Sequence, residues 1–110
     1  MMEQTGGFRP RCDPAGGSFG APQTLSDPGE DALEPQIAVD STGTAIVVWE
    51  RFDGANLRVQ AAVRPAGGSF GAPQTLSDLG QGAVTPQLEM SPDGNAAVVW
   101  SRYDGANARI

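Results

Sequence analysis

Residues 44–54 have the sequence TAIVVWERFDG, and the fold class follows from this stretch. It is rich in β-branched and aromatic residues, which favour strands, and it ends in Asp53-Gly54, a strong signal for a two-residue hairpin turn. Its apolar side chains alternate between two faces, with Ala45, Val47 and Trp49 on one and Ile46 and Val48 on the other. A strand that is apolar on both faces must be covered on both sides, as in stacked sheets.

Three further strands are predicted around this one. Strand a is the apolar run 37–39, strand b is 44–52, strand c is the alternating segment 56–64, and strand d is 69–76. Gly71 and Pro73 interrupt strand d, which suits an edge position in a sheet. Turn residues recur along the whole chain, and no segment has the 3.6-residue period of a helix. We therefore expect an all-β protein built from short antiparallel hairpins.

The four-strand unit occurs twice in the sequence. PAGGSFGAPQTLSD at residues 14–27 recurs unchanged at 65–78. With this offset of 51, residues 14–59 align with 65–110 without a gap, and 29 of the 46 aligned positions are identical. Such self-similarity is typical of repeat architectures. The predicted organisation is an irregular stretch 1–13, a first unit 14–64 and a second unit 65–110.

The unit resembles known propeller repeats. Residues 35–48, PQIAVDSTGTAIVV, are similar to the start of NHL-type repeats, which run from a proline through apolar-Ala-Val-Asp and a glycine turn into a valine-rich strand. Residues 91–94, SPDG, resemble the same turn in bacterial WD40-like repeats. The longer unit also resembles tandem repeats of secreted actinobacterial proteins of unknown function. The resemblance implies a β-propeller with two four-stranded blades per chain and an extracellular parent family.

Two blades do not make a closed ring, because closed propellers usually carry about four to eight. The apolar outer faces of the two blades would then be exposed to water. The chain begins near the end of a strand c, so its strand d at 18–25 has no partner strands before it, whereas the last blade lacks a strand d. We expect the strand d of one chain to complete the last blade of a neighbour. A six-bladed trimer is the preferred homo-oligomer, and an eight-bladed tetramer is the next.

Composition excludes several classes of partner. The net charge is -6 and the seven basic residues, all arginines, are scattered, so neither nucleic acid nor a membrane surface is an expected partner. Cys12 is the only cysteine, so no disulfide can form within the chain. The first dozen residues lack the pattern of a signal peptide, and no apolar run is long enough to span a membrane. The expectation is a soluble protein of unknown location.

A candidate binding face follows from strand direction. Because neighbouring strands alternate in direction, the loops between strands d and a share one face with the turns between strands b and c. The candidate ligand-binding residues on this face are Glu30, Asp31, Arg51, Asp53, Asn56, Gln81, Arg102, Tyr103, Asp104 and Asn107. Turn chemistry alone explains Asp53 and Asp104. Arg51 and Arg102 can hold a ligand or pair with these two carboxylates, and pairing is the interpretation that we favour.

No catalytic site, metal site or cofactor is predicted. The acidic residues lie in turns, and the chain has no histidine to activate a nucleophile. Trp49 and Trp100 can stack on sugars or pack in the core, and their place at the end of an apolar strand favours the core. The expected function is a non-catalytic propeller scaffold or binding module assembled from identical chains. The alternative is a lectin-like propeller that binds a glycan at several equivalent sites.

Overall fold

Short antiparallel strands make up the regular structure of the chain. The computed structural model describes residues 3–4 and 21–110. The strands are β1 (Glu3–Gln4), β2 (Gln23–Thr24), β3 (Ala32–Val39), β4 (Ala45–Phe52), β5 (Leu57–Arg64), β6 (Gln74–Thr75), β7 (Ala83–Met90), β8 (Ala96–Tyr103) and β9 (Ala108–Arg109). These residues contain no helix, so the all-β prediction is confirmed.

The first large sheet, which we call sheet one, has the strand order β3-β4-β5-β6 with every neighbour antiparallel. This is the order of the predicted strands a, b, c and d. Strand d is shorter than predicted, because only Gln74–Thr75 forms a ladder with β5. Around it the segment is held by single backbone bonds, from Gly71 N to Val63 O (3.0 Å) and from Leu76 N to Val59 O (2.8 Å). Proline at position 73 has no N–H to add to the ladder.

Strand a is longer than predicted. The prediction began at residue 37, whereas β3 begins at Ala32 and contains a bulge between Leu33 and Gln36. Glu34, inside the bulge, has a φ of 54°, and Pro35 follows it. The second large sheet repeats the arrangement with Thr85, at a φ of 56°. The bulge lets a strand continue through a proline that would otherwise interrupt it.

This second sheet, sheet two, has the order β7-β8-β9 and is also antiparallel. Its register matches that of sheet one, since Ala83 pairs with Arg102 as Ala32 pairs with Arg51. In the described part of the chain these sheets are open, and no sheet closes on itself.

The N-terminal part of the predicted architecture is described only in part. Gln23–Thr24 pairs with Glu3–Gln4 in a separate two-stranded sheet, so the expectation that strand d has no partner strand before it is wrong at these two residues. Residues 18–20 of the predicted strand d lie outside the described residues. So do Cys12 and most of the stretch 1–13, and their predictions stand as they were made.

Strand β4 is covered on both faces, as its sequence predicts. One face carries a core cluster of Leu25, Ala32, Ala45, Val47, Trp49, Ala62 and Phe70. On the other face Val48 and Ala61 pack against Leu88 of sheet two, with Leu76 and Val98 beside them. The two sheets are therefore stacked face to face, with β7 lying over β4 and β5.

Strand β8, which has almost the same sequence as β4, is covered on one side only. The sequence predicts that residues 97–100 are buried like their counterparts, and this is wrong for the isolated chain. Val99 is 54% exposed, whereas Val48 at the equivalent position is fully buried. Ala97 is exposed as well, and Val98 and Trp100 are half-buried. The physical reason is that nothing in the described residues packs on the outer side of sheet two, which we call the open face.

Candidate functional site

The loops of the candidate face do come together. Arg51 Nη2 donates to Pro28 O (3.3 Å) and Phe52 N donates to Asp31 O (3.1 Å), which join the loop before β3 to the end of β4. In sheet two, Tyr103 N donates to Gly82 O at 3.0 Å. The alternating strand directions therefore place these loops as the sequence predicts.

Asp53 organises the turn between β4 and β5. Its Oδ1 accepts hydrogen bonds from Ala55 N (2.9 Å) and Asn56 N (2.7 Å), and Gly54 has a φ of 97°. Phe52 pairs with Leu57 across the turn, so the loop has four residues rather than the two that an Asp-Gly pair predicts. The carboxylate makes the longer loop possible because it satisfies two backbone N–H groups that the strands leave unpaired.

The equivalent turn of sheet two is built in the same way. Asp104 Oδ1 accepts from Ala106 N (2.9 Å) and Asn107 N (2.8 Å). The backbone N–H groups of Asn56 and Ala55 hold the pKa of Asp53 below its ordinary value, and those of Asn107 and Ala106 do the same to the pKa of Asp104. Both side chains are therefore bound to their own turns as carboxylates, which is a structural role.

The arginines of this face pair differently from the favoured interpretation. Asp53 is bound by Arg58 (Nη1 to Oδ2, 3.2 Å), and Asp104 is bound by Arg109 (3.1 Å). Arg51 instead reaches the Pro28 carbonyl. Arg102 lies 3.9 Å from the exposed carboxylate of Asp78. Arg58 lies on β5 across from Arg51 in the strand register, and it is the Arg58 guanidinium that reaches the Asp53 carboxylate.

The remaining candidates do not converge on one point. Glu30 and Asp31 are exposed in the turn before β3, and Gln81 is half-buried in the equivalent turn before β7. Tyr103 donates its hydroxyl to Gly105 O (3.1 Å) within its own hairpin. These residues are thus spread over the loops of two neighbouring sheets.

At the opposite end of the strands, the turns after β3 and β7 touch each other. Asp40 Oδ1 accepts from the Thr42 hydroxyl (2.7 Å) and from Thr44 N (3.0 Å), and the hydroxyl bond is the main reason that the pKa of Asp40 is lowered. Ser41 donates its N–H (3.1 Å) and its hydroxyl (2.6 Å) to Pro92 O in the next turn. Among residues 21–110, no three His, Cys, Asp or Glu side chains are grouped to hold a metal ion.

The two tryptophans have different environments. Trp49 is fully buried in the core of sheet one, as favoured from the sequence, and it offers no surface to a sugar. Trp100 lines a groove of about 300 Å³ on sheet two, together with Val98, Val99, Arg102, Arg109 and Ile110. We call this the Trp100 groove. The sequence does not mark this groove as a site, because Trp49 and Trp100 stand at equivalent positions of two nearly identical strands. Only the packing around each strand distinguishes them.

Comparison with protein families, curated proteins and solved structures found no match to this chain. Within the part of the chain that the structure describes, no helix has the length and apolar character needed to cross a membrane.

Proposed function

We propose that this chain is a non-catalytic structural module of the β-propeller type, which assembles with identical copies by stacking sheet upon sheet. The proposal rests on the contact between sheet one and sheet two inside the chain. Val48 of sheet one and Leu88 of sheet two are both buried against each other's sheet. At the equivalent positions, Val99 is 54% exposed and Ile37 is 41% exposed.

Val99 and Ile37 are the repeat equivalents of Val48 and Leu88, the two residues that form the internal contact. Val99 lies on the open face of sheet two, and Ile37 lies on β3 of sheet one. If a second copy places its sheet one on the open face, its Ile37 meets Val99 as Leu88 meets Val48. Burying such apolar surface is favourable by roughly 25 cal/mol per Å². The contact is heterologous, so it forms a ring where the rotation between copies closes and an open filament where it does not.

A polar bond of the internal contact supports the same stacking. Leu88 N donates to Gln36 Oε1 (3.2 Å), which ties β7 to β3. Glutamine also stands at the equivalent position 87, and Ile37 supplies the equivalent N–H. The assembled protein should therefore contain a bond from Ile37 N of one copy to Gln87 Oε1 of another. The six-bladed trimer stays our preferred assembly, with the tetramer as the next.

The mass in solution tests this proposal. Light scattering should give about three times the chain mass of 11.4 kDa for a trimer, and Val99→Lys should give the monomer mass because it places a charge on the open face. Leu79→Lys is the matched control, since Leu79 is already 79% exposed in the loop between β6 and β7. A wild-type chain that is monomeric at every concentration would contradict the proposal.

A further inference from the structure

A buried carboxylate joins the two sheets at the bulge of β7. Glu50 lies on β4 and is only 5% exposed, and its Oε2 accepts a hydrogen bond from Thr85 N at 2.6 Å. None of the salt bridges among the described residues involves Glu50. A buried carboxylate without a cation depends on hydrogen bonds to offset its loss of hydration. Glu50 is therefore sensitive to the residue that the next sheet places beside it.

The residue beside Glu50 does not suit its own backbone conformation. Thr85 has a φ of 56°, a region in which a β-branched residue is an outlier. At the equivalent bulge of sheet one, the unbranched Glu34 has nearly the same φ of 54°. Local backbone preference therefore does not explain why threonine, rather than glutamate, stands beside Glu50.

The distance between the two residues does explain this choice. The Cβ atom of a residue lies roughly 2.5 Å from its own nitrogen, so any side chain at position 85 begins within about 5 Å of the Glu50 carboxylate. Two carboxylates at about 4–6 Å disfavour each other's charged form. Thr85 is neutral, so it leaves the Glu50 carboxylate without a like charge beside it.

The equivalent positions on the other two faces show the reverse arrangement. Ser101 stands at the position of Glu50, and it is half-buried on β8 on the open face. Glu34 stands at the position of Thr85, and it is exposed on β3. A serine hydroxyl can donate a hydrogen bond to a carboxylate, which a second carboxylate cannot do. The neutral face is thus suited to the acidic bulge, as the acidic face is to the neutral bulge.

The two bulges also differ in how far they are covered. Pro86, which follows Thr85, is fully buried, whereas Pro35, which follows Glu34, is exposed. The bulge of sheet one therefore presents to solvent the same backbone arrangement that the bulge of sheet two uses in the internal contact.

We propose that positions 50 and 85, with their equivalents 101 and 34, determine which sheet can stack on which. Sheet one accepts sheet two because Glu50 meets the neutral Thr85. It rejects a second sheet one, whose Glu34 would place a carboxylate beside Glu50. The face that carries Ser101 then takes sheet one of a second copy, which gives an alternating order. This last step rests on the proposed self-assembly, whereas the pair Glu50–Thr85 lies within one chain.

A double-mutant cycle inside the chain tests this pair. Thr85→Glu removes a strained β-branched residue, yet it should lower the thermal midpoint by about 5 °C or more because it adds a carboxylate beside Glu50. Glu50→Gln keeps an acceptor oxygen and removes the charge, so in this background the same change should cost less than about half as much. Thr85→Gln is the control for size, and it should cost less than Thr85→Glu.

Thermal unfolding at a low protein concentration measures these midpoints. Equal losses from Thr85→Glu in the two backgrounds would overturn the pair, and so would a Thr85→Glu protein as stable as wild type. If Thr85→Glu does not fold alone, recovery of a folded protein by the added Glu50→Gln supports the pair.

The same exchange between copies tests the alternating order. Ser101→Glu should weaken self-association about tenfold, because its carboxylate meets Glu34 of the second copy. Adding Glu34→Thr should return self-association to within about twofold of wild type, since it recreates the pair found inside the chain. Ser101→Gln, the control for size without charge, should have the smaller effect. Sedimentation equilibrium measures the association constants.

The outcomes separate this inference from the proposed assembly. If adding Glu34→Thr does not relieve the effect of Ser101→Glu, the pairing between copies is overturned although the chain associates. A wild-type chain that never associates would overturn the proposed assembly, and the cycle at positions 50 and 85 would still decide whether Glu50 selects its neighbour.

Discussion

Asp53 and Asp104 show how much of a turn a single carboxylate can determine. Each accepts two backbone hydrogen bonds and forms a salt bridge with one arginine, and these contacts lower the pKa of each carboxylate. A carboxylate whose pKa is lower in the folded than in the unfolded chain stabilises the fold above the unfolded value. This stabilisation is lost as the pH falls through the folded pKa.

The first prediction follows from this sign. The free energy of unfolding should decrease once the pH drops below about 4, the ordinary range for the pKa of Asp. Asp53→Asn should make that decrease smaller. At pH 7 the variant should be less stable than wild type, and the difference should shrink in acid, where the wild-type carboxylate is protonated as well. Urea unfolding measured from pH 2 to pH 7 gives both curves. Parallel curves for the two proteins would show that Asp53 does not contribute in this way.

The second prediction compares the two tryptophans as a matched pair. Trp49→Ala removes a fully buried side chain and should cost about 3–5 kcal/mol of unfolding free energy. Trp100→Ala should cost clearly less, because this side chain is half-buried in the isolated chain. Denaturant unfolding should be done at a concentration where the chain is monomeric. Equal losses would mean that both sheets are covered alike.

At the scale of the element, the sequence predicted the central strands best. Strands b and c were placed within a residue of β4 and β5, because their apolar alternation is unbroken. Strand a was predicted too short, because the apolar run covers only residues 37–39 and the bulge at Glu34 has no sequence signal beyond the proline that follows it. Strand d was predicted too long, because backbone bonding around Pro73 depends on single contacts that no local pattern indicates.

The candidate site was predicted less completely. The turn roles of Asp53 and Asp104 follow from local chemistry, and the structure contains them. The pairing of Asp53 with Arg58 rather than Arg51 depends on the side-chain geometry around the turn, since the register places the two arginines opposite each other. The hydrogen-bonding role of Ser77 at the edge of β5 was missed because Ser77 looks like an ordinary turn residue. The only sequence signal for this role is the identity of residues 14–27 and 65–78. That signal can be interpreted only when the bond from Val59 N to Ser77 Oγ is known.

At the scale of the whole molecule, the third prediction concerns Trp100. The proposed self-assembly should reduce the exposure of this side chain, which lines the Trp100 groove, while Trp49 is already enclosed. Trp49→Phe leaves Trp100 as the single emitter, so its fluorescence should shift to the blue as the protein concentration rises. Trp100→Phe leaves Trp49 and should show no concentration dependence. An emission maximum that stays constant in the Trp49→Phe protein would argue against an assembly that covers this groove.

The hydrogen bonds that Arg58 and Val59 donate to Ser77 also have a consequence for the folding pathway. Within one chain, residues 14–27 and 65–78 are identical competitors for the same edge at Arg58–Val59. A chain that captures the wrong copy first satisfies the local bonds and must release them before β6 can form, which is a kinetic trap. Refolding followed by tryptophan fluorescence should therefore contain a slow phase whose amplitude falls in Ser26→Ala and rises in Ser77→Ala. The duplication of this segment thus provides a decoy for the folding chain.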